Sequence, residues 1–224
     1  MKVITIIPAY NEGKRSKVFS SVIRRAKKYS NLVIVVNDGS TDNTEEIAKK
    51  ARAKVISYKN NRGNGYAKRL GSKIAMKYKP DIIIFLDADG QHRPEDIPKF
   101  LKALKKSDMV IGSRFKGKIA TSRINLFGNI GLRFGVNLLC FGFNFNKWLS
   151  DTECGYRAIK ADKLKKLNLK ADRYAIEAEM ILEASRKKLK INEISIISPR
   201  KVRGVGVLDG FKNAWHLFVR WLFG

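Results

Sequence analysis

Short runs of consecutive apolar residues alternate, in the first half of the chain, with segments in which apolar residues recur every three or four positions. The runs have the character of strands buried on both faces, and they lie at residues 3–7, 32–36, 55–57, 82–86 and 109–111. Helical periodicity covers residues 16–29, 44–51, 65–78 and 94–105. This alternation predicts an α/β fold with a mostly parallel central sheet flanked by helices.

The second half has a less regular pattern. It predicts an apolar helix at 125–145, a helix at 173–188, a strand at 191–197, a basic loop at 199–206 and an amphipathic segment at 207–223. No internal repeat or low-complexity linker marks a domain boundary. We therefore predict a single domain at residues 1–206, with a C-terminal amphipathic helical segment at 207–224 that is not a separate domain.

The chain of 224 residues carries 46 Lys and Arg against 20 Asp and Glu, a formal net charge of +26. Such a charge favours a polyanionic partner, which could be nucleic acid, an anionic membrane surface or a phosphorylated substrate. Solvated lysine-rich helix faces are the alternative explanation. Two cysteines and two histidines are too few for a disulfide framework or a zinc site. The chain begins with a strand pattern rather than a signal peptide, which predicts a cytosolic protein.

Two carboxylates stand where the fourth apolar run ends. Asp87 and Asp89 flank a single residue, and Gln91 follows two positions later. Carboxylate and amide oxygens at this spacing suit Mg²⁺ or Mn²⁺, and such an ion could neutralise a departing diphosphate. An acidic turn that caps the next helix is the alternative reading of this motif taken alone.

Polar residues also follow the first two strands. Tyr10 can stack on a base, Glu12 can accept hydrogen bonds from a ribose or base, and Asp38 suits the N–H edge of uracil or guanine. The glycines at 63 and 65 open the third helix without the third glycine of a dinucleotide fingerprint, so they do not indicate a nicotinamide cofactor. Ligands of parallel α/β sheets bind at the carboxyl ends of the strands, where all these residues lie.

The ordered series IPAYNE, VNDGSTDNT, NRGNGYAKRLG, DADGQH and GSRF resembles glycosyltransferase family 2, whose fold is GT-A, a Rossmann-like architecture. Within that family, the chain is most similar to the dolichyl-phosphate mannose and glucose synthases. The resemblance covers about residues 2–200. Two later segments support it, namely residues 112–115 and residues 150–157, which read Ser-Asp-Thr-Glu-Cys-Gly-Tyr-Arg.

The resemblance implies a role for each motif. The nucleotide would lie near Pro8, Tyr10, Glu12, Asp38 and Asp87. The divalent metal, Mg²⁺ or Mn²⁺, would be held by Asp87, Asp89 and Gln91. The acceptor phosphate would contact Arg114 and Arg123, which with Asp87 and Asp89 form the expected catalytic set. Arg200 and Arg203 would belong to a lid over the diphosphate. Glu177 and Glu179 are either site carboxylates or surface charges.

The expected reaction is inverting transfer of a sugar from a UDP- or GDP-sugar to a polyprenyl (dolichyl) phosphate. Asn37 stands where many relatives have Asp, and residues 200–208 lack the Gly-x-Ser-Lys-Leu of the mannose synthases, so donor base and sugar stay open. The C-terminal segment has apolar residues at helical spacing, including Trp215 and Trp221, and would hold the enzyme peripherally at the cytoplasmic face of an anionic membrane. The sequence does not define an oligomeric state.

Three alternatives compete with this reading. A saccharide or other soluble acceptor would require a base to deprotonate its hydroxyl, and no candidate is evident near the nucleotide motifs. A non-catalytic nucleic-acid-binding domain would explain the charge but not the ordered motifs after successive strands, so nucleic acid is an unlikely partner. A nucleotidyltransferase would carry a glycine-rich phosphate loop after the first strand, which residues 8–12 do not form.

Overall fold

The structure is a computed structural model that describes residues 1–116, 124–197 and 219–222, with the backbone alone for 124–130 and 132. Arg123, Arg200 and Arg203, and most of the predicted segment at 207–224, lie outside the described residues. The strands are β1 (Val3–Ala9), β2 (Leu32–Asp38), β3 (Lys54–Tyr58), β4 (Ile82–Phe85), β5 (Met109–Ser113), β6 (Arg157–Lys160) and β7 (Ile191–Ser195). These seven form one sheet in the order β3-β2-β1-β4-β6-β5-β7.

The helices cover this sheet and follow the predicted alternation. They are α1 (Ser16–Ala26), α2 (Thr44–Lys50), α3 (Asn64–Met76), α4 (Ile97–Ala103), α5 (Ile124–Phe141), α6 (Ala161–Leu164) and α7 (Ile176–Arg186). In α1, the buried residues Phe19, Val22, Ile23 and Ala26 recur at the spacing of one helix face. None of the described helices is long and apolar enough to cross a membrane.

The central strands are short, aliphatic and buried on both faces, which is why their sequences read as uninterrupted apolar runs. Helix α3 lies unusually close to this layer. A Cβ atom on Gly71 would come within 2.6 Å of Ile6 Cγ2 and 3.0 Å of Val36 Cγ2. Glycine at this position therefore permits the close approach of α3 to β1 and β2.

The sequence pattern did not predict helix α6 or, more important for the site, strand β6. This strand has four residues, begins with a fully buried arginine, and pairs antiparallel with both β4 and β5. A charged residue at each end conceals so short a strand from a search for apolar runs. Because β6 is antiparallel to its two neighbours, β5 still runs in the direction of β4, and the loop preceding β6 arrives at the carboxyl edge of β4 and β5.

Residues 219–222 form one helical turn that docks on α7. The buried Arg220 donates to Glu179 at 3.0 Å, to Glu183 at 3.2 Å and to the carbonyl of Asn168 at 2.7 Å. Glu179 also accepts hydrogen bonds from the backbone N–H groups of residues 170 and 171. Glu179 is thus a buried anchor for the end of the chain, rather than a surface charge.

Candidate functional site

The candidate site lies where β1, β2, β4 and β5 end at one edge of the sheet. All four strands run in the same direction, so the loops that follow them meet there. Four of the residues that the sequence singled out, Tyr10, Asp38, Asp87 and Arg114, lie within or just after these strand ends. The loop at 150–156 reaches the same edge because it precedes the antiparallel β6.

Asp87 and Asp89 have pKa values shifted in opposite directions. Burial raises the pKa of Asp87, but the electrostatic effects of His92, Lys68 and Arg114 outweigh this and leave its pKa below the usual range. The pKa of Asp89 is raised by burial and by the neighbouring Asp87 carboxylate, although the Gln91 N–H donates to its Oδ1 at 2.9 Å. A divalent cation between the two would relieve this repulsion and favour ionised Asp89.

The oxygen donors of this motif fit part of a coordination shell. Among the residues described, no group of three or more His, Cys, Asp and Glu side chains could hold a metal ion. Asp87, Asp89 and the amide of Gln91 would supply hard oxygen ligands, and Mg²⁺ or Mn²⁺ commonly completes such a set with water and substrate phosphate. The donor set therefore fits an ion that binds together with a phosphorylated ligand, and not one held by protein side chains alone.

His92 is a functional neighbour that the sequence analysis passed over. Its buried ring places Nδ1 at 3.4 Å from Asp87 Oδ2 and Nε2 at 3.7 Å from Cys154 Sγ, and it stacks on Tyr156 with a centroid distance of 5.1 Å. Burial lowers the pKa of His92, despite the opposing effect of Asp87 and Asp89. Asp87 is thus flanked by His92 on one side and by Gly155, in the loop before β6, on another.

The loop after β1 brings Tyr10 and Glu12 to the site. The Tyr10 ring is exposed, as a base-stacking platform must be, and Pro8 lies in β1 beside Val36 of β2. Burial raises the pKa of Glu12, and the nearby Asp89 and Asp87 raise it further against the opposing effect of Arg15. Oε2 of Glu12 is buried without a hydrogen-bond partner, so this carboxyl group has capacity left for a ligand.

Asp38 is buried and its carboxylate is already engaged. It accepts hydrogen bonds from Tyr58 Oη at 2.8 Å, Asn61 Nδ2 at 3.1 Å and the backbone N–H groups of Arg62 and Gly63 at 2.7 and 2.8 Å. These bonds fix the loop at the start of α3, where Gly63 has a φ of +97°. The structure therefore shows Asp38 as the residue that positions this loop, and direct contact with a base stays a prediction.

Arg114 is held by a residue that is 37 positions away. Its Nε and Nη2 donate to Asp151 at 2.6 and 2.8 Å, and its backbone N–H donates to the same carboxylate at 3.0 Å. The Asp151 loop is in turn fixed by Glu193, which accepts from the N–H groups of Ser150 and Asp151 and pairs with Lys116 at 3.1 Å. Arg114 is therefore a pre-oriented guanidinium at the edge of the site.

A buried charge cluster lies behind the carboxylates. Glu177 forms ion pairs with Lys68 of α3 and with Arg157 of β6, and both cationic side chains are fully buried. Arg157 also donates to the carbonyls of Cys154 and Thr152. Lys68 and Arg157 contribute to the lowered pKa of Asp87, so Glu177 belongs to the support of the site and is not a surface charge.

Glu153 lies in the loop at 150–156, and the sequence analysis did not single it out either. Burial raises its pKa to about 7, with a further contribution from Glu177, and its Oε1 is buried without a hydrogen-bond partner. A carboxyl group with a pKa near neutrality can act as a general base. The only signal for Glu153 in the sequence is its place within residues 150–157, the segment that supports the family resemblance.

Comparisons with known proteins identify the family of the chain. The family model described as "Glycosyl transferase family 2" matches residues 4–167. The chain is 33% identical to the UDP-N-acetylglucosamine–dolichyl-phosphate N-acetylglucosaminyltransferase of Methanococcus voltae, covering 97% of this chain and 95% of that protein. It is 32% identical to the undecaprenyl-phosphate mannosyltransferase of Micrococcus luteus, covering 99% and 96%.

A solved structure shows the same fold at lower sequence identity. Glucosyl-3-phosphoglycerate synthase from Mycobacterium tuberculosis, in complex with Mn²⁺ and UDP-glucose, superposes with a TM-score of 0.70 at 19% identity, covering 99% of this chain and 78% of that one. The predicted GT-A fold, with its mostly parallel sheet, is thereby confirmed. With its ordered motifs at the carboxyl edge of that sheet, this chain belongs to glycosyltransferase family 2.

Proposed function

We propose that this protein transfers a sugar, with inversion, from a nucleotide-sugar to a polyprenyl phosphate at the cytoplasmic face of a membrane. The observation that carries the proposal is the convergence of Arg114 with Asp87 and Asp89 at one sheet edge, where Arg114 is close enough to lower the pKa of Asp87. A carboxylate pair suits a metal-bound diphosphate, and a guanidinium suits a second phosphate. Two relatives are named for dolichyl- or undecaprenyl-phosphate acceptors.

The donor side is assigned to the loops after β1, β2 and β4. Tyr10 and Glu12 would hold the base and ribose, and Asp38 would maintain the loop beside them. Asp87, Asp89 and Gln91 would hold Mg²⁺ or Mn²⁺ together with the diphosphate. The named synthase with Mn²⁺ and UDP-glucose, which shares the fold, supports such a metal. When bound, the ion neutralises the charge that develops on the leaving nucleoside diphosphate.

The acceptor side is assigned to Arg114, with Arg123 predicted to join it. A polyprenyl monophosphate is anionic near neutral pH, so one of its oxygens can attack the anomeric carbon without a general base. The new carbon–oxygen bond forms as the bond between that carbon and the donor diphosphate breaks, and the diphosphate leaves with the electron pair. Asp151 restricts Arg114 to one orientation, which reduces the entropy lost when the acceptor binds. Arg200 and Arg203 remain predicted lid residues.

Glu153 favours a second candidate function. Transfer to a hydroxyl acceptor, as in a soluble saccharide, needs a base, and the pKa of about 7 at Glu153 suits one. The glucosyl-3-phosphoglycerate synthase of the same fold has also been solved in complex with Mn²⁺, UDP-glucose and phosphoglyceric acid, a water-soluble compound. A hydroxyl acceptor would make Glu153 essential, whereas a phosphate acceptor would not.

The test is transfer by purified protein, followed by mass spectrometry of the lipid product. UDP-glucose, UDP-N-acetylglucosamine, UDP-galactose and GDP-mannose are each offered with dolichyl phosphate and with Mg²⁺, Mn²⁺ or EDTA. We expect a metal-dependent lipid-phosphate-sugar from one donor, formed equally well by Glu153→Gln. Hydrolysis of a donor without lipid product would reject the lipid acceptor. Transfer to a saccharide that Glu153→Gln abolishes would support the hydroxyl acceptor.

Gly155→Ala is expected to weaken metal-dependent binding of the nucleotide. The new Cβ would lie 2.7 and 2.8 Å from the two carboxylate oxygens of Asp87. The Asp87 side chain would therefore have to move away from the proposed position of the metal. We expect a roughly tenfold higher Kd for the nucleoside diphosphate in the presence of Mn²⁺, equivalent to about 1.4 kcal/mol. Isothermal titration calorimetry measures it.

Gly131→Ala provides the matched control for this substitution. Its Cβ would meet nothing within 4 Å, and the residue lies in helix α5, where alanine is favoured over glycine. Binding by the control should equal that of the wild-type protein. If Gly155→Ala also binds the nucleotide with wild-type affinity, Asp87 does not hold the metal in the way proposed.

A further inference from the structure

An exposed aromatic patch lies beside the acceptor loop. It consists of Phe134, Phe143, Phe145 and Trp148, of which the three phenylalanines are 52%, 78% and 64% exposed. The rings form one connected series, with centroid distances of 5.3 Å between Phe134 and Trp148, 4.8 Å between Trp148 and Phe145, and 6.4 Å between Phe145 and Phe143. Large apolar side chains gathered on the surface, rather than scattered singly, indicate an interaction site.

The patch is held in place by the fold. Trp148 Nε1 donates to the carbonyl of Gly142 at 2.9 Å, which closes the turn that carries Phe143 and Phe145. Asn137 of α5 makes two hydrogen bonds with the backbone of Leu149, at 2.7 and 2.9 Å. The aromatic side chains are therefore presented to the outside by a structured turn and would lose little conformational entropy on binding.

The patch adjoins the loop assigned to the acceptor phosphate. Arg133, the residue before Phe134, donates to the carbonyl of Ser150 at 3.3 Å, and its guanidinium lies 5.7 Å from the Phe115 ring. Phe115 directly follows Arg114, and Ser150 precedes Asp151. The aromatic patch therefore lies beside the loops that carry Arg114 and Asp151.

The helical turn at residues 219–222 lies near the aromatic patch, at the C-terminal end of α7. Ser185 of α7 donates to the carbonyl of Cys140, close to the turn that carries Phe143 and Phe145. The next residue, Arg186, donates to the carbonyls of Arg220 and Trp221 at 2.7 and 2.8 Å. Trp221 and Leu222 are exposed, so their apolar side chains and the aromatic patch flank the C-terminal end of α7.

The charge of these segments is uniformly positive. Residues 133–149, 185–190 and 219–222 contain no Asp or Glu. Exposed lysines at positions 147, 187 and 188 belong to these segments. An anionic bilayer complements aromatic side chains bordered by lysine, whereas a second copy of this chain, with its net charge of +26, would present like charge.

We propose that the aromatic patch, together with Trp221 and Leu222, is the surface by which the protein docks on an anionic lipid bilayer. This inference rests on the lipid acceptor proposed above and names where the membrane would lie. Phe143 and Phe145 enter the interfacial region, the lysines contact lipid headgroups, and Arg114 faces a phosphate at the level of those headgroups. The site then receives its acceptor from the membrane surface without extracting the lipid chain into water.

Vesicle binding of the full chain tests this surface, with vesicles of phosphatidylcholine with and without phosphatidylglycerol. Phe143→Ser combined with Phe145→Ser should lower partitioning onto the anionic vesicles roughly tenfold or more, because two large apolar side chains are lost. The matched control is Tyr174→Ser, which removes an exposed aromatic ring near the opposite end of α7 and should bind as the wild type does. Acyl chains brominated near the headgroup should quench tryptophan fluorescence of the wild type.

A second pair of variants tests the charges. Lys147→Gln with Lys187→Gln should lower binding to the anionic vesicles roughly tenfold. Lys50→Gln with Lys77→Gln should have a much smaller effect, because these exposed residues lie at the end of α2 and just after α3, by the strands farthest from β7 in the sheet. Equal loss from both lysine pairs, or wild-type binding by the phenylalanine variant, would overturn the proposed surface. So would a change of the wild-type oligomeric state in the phenylalanine variant, which would show that a second copy covers the patch.

The failure of this surface can be told apart from failure of the proposed function. A water-soluble, short-chain prenyl phosphate tests transfer without vesicles, and the phenylalanine variant should keep the wild-type rate. Transfer by the wild type combined with unchanged vesicle binding by that variant would reject the surface alone. Vesicle binding that depends on the patch, without transfer from any donor, would reject the reaction and leave the surface standing.

Discussion

Replacement of Asp89 by asparagine is expected to abolish sugar transfer while leaving the protein folded. Asparagine keeps the shape of the side chain and removes the charge that, in our proposal, holds the metal on the donor diphosphate. Loss of that electrostatic stabilisation should cost about 4 kcal/mol in the transition state, or about 10³-fold in kcat/KM. Steady-state transfer at saturating Mn²⁺, followed by mass spectrometry, measures this loss.

Stability provides an independent readout for the same variant. Burial and the Asp87 carboxylate already raise the pKa of Asp89, so the ionised form is disfavoured in the metal-free protein. Asp89→Asn should therefore unfold at the same temperature as the wild type or slightly higher. Asp162→Asn, at an exposed position on α6, should change neither the rate nor the stability. Near wild-type activity of Asp89→Asn would contradict the metal assignment.

Glu177→Gln should strongly destabilise the protein. Lys68 and Arg157 are fully buried, and Glu177 is the carboxylate with which both form ion pairs. Removing one partner leaves buried charge uncompensated, and we expect a loss of about 3 kcal/mol in the free energy of unfolding. For a domain of this size, that corresponds to a fall of roughly 6–12 °C in Tm. Thermal unfolding followed by circular dichroism measures it.

A double variant identifies the source of this destabilisation. Arg157 keeps its hydrogen bonds to backbone carbonyls, so most of the uncompensated charge should reside on Lys68. Lys68→Met in the Glu177→Gln background should restore part of the lost stability. Glu46→Gln, on the exposed face of α2, serves as the control and should change Tm little. A Glu177→Gln protein as stable as this control would show that the buried pairs do not stabilise the fold.

Several features of the site could not be predicted because their partners are distant in sequence. The donors from the loop at 61–63 that surround the Asp38 carboxylate are one example. Arg114 and Asp151 are brought together only because β6 is inserted antiparallel between β4 and β5. His92 and Glu153 gain their altered pKa values from burial, which a single sequence motif does not report.

The amino-acid sequence by itself determined the succession of strands and helices from β1 to β5, the placement of Asp87, Asp89 and Gln91 after a buried strand, and the family. These properties depend on local periodicity and on motifs whose residues are close along the chain. Only the tertiary structure decided that Glu177 and Glu179 are buried, and that Phe143 and Phe145 are exposed. The physical reason is that burial and charge compensation depend on which distant segments meet, as Lys68 and Glu177 do across 109 residues.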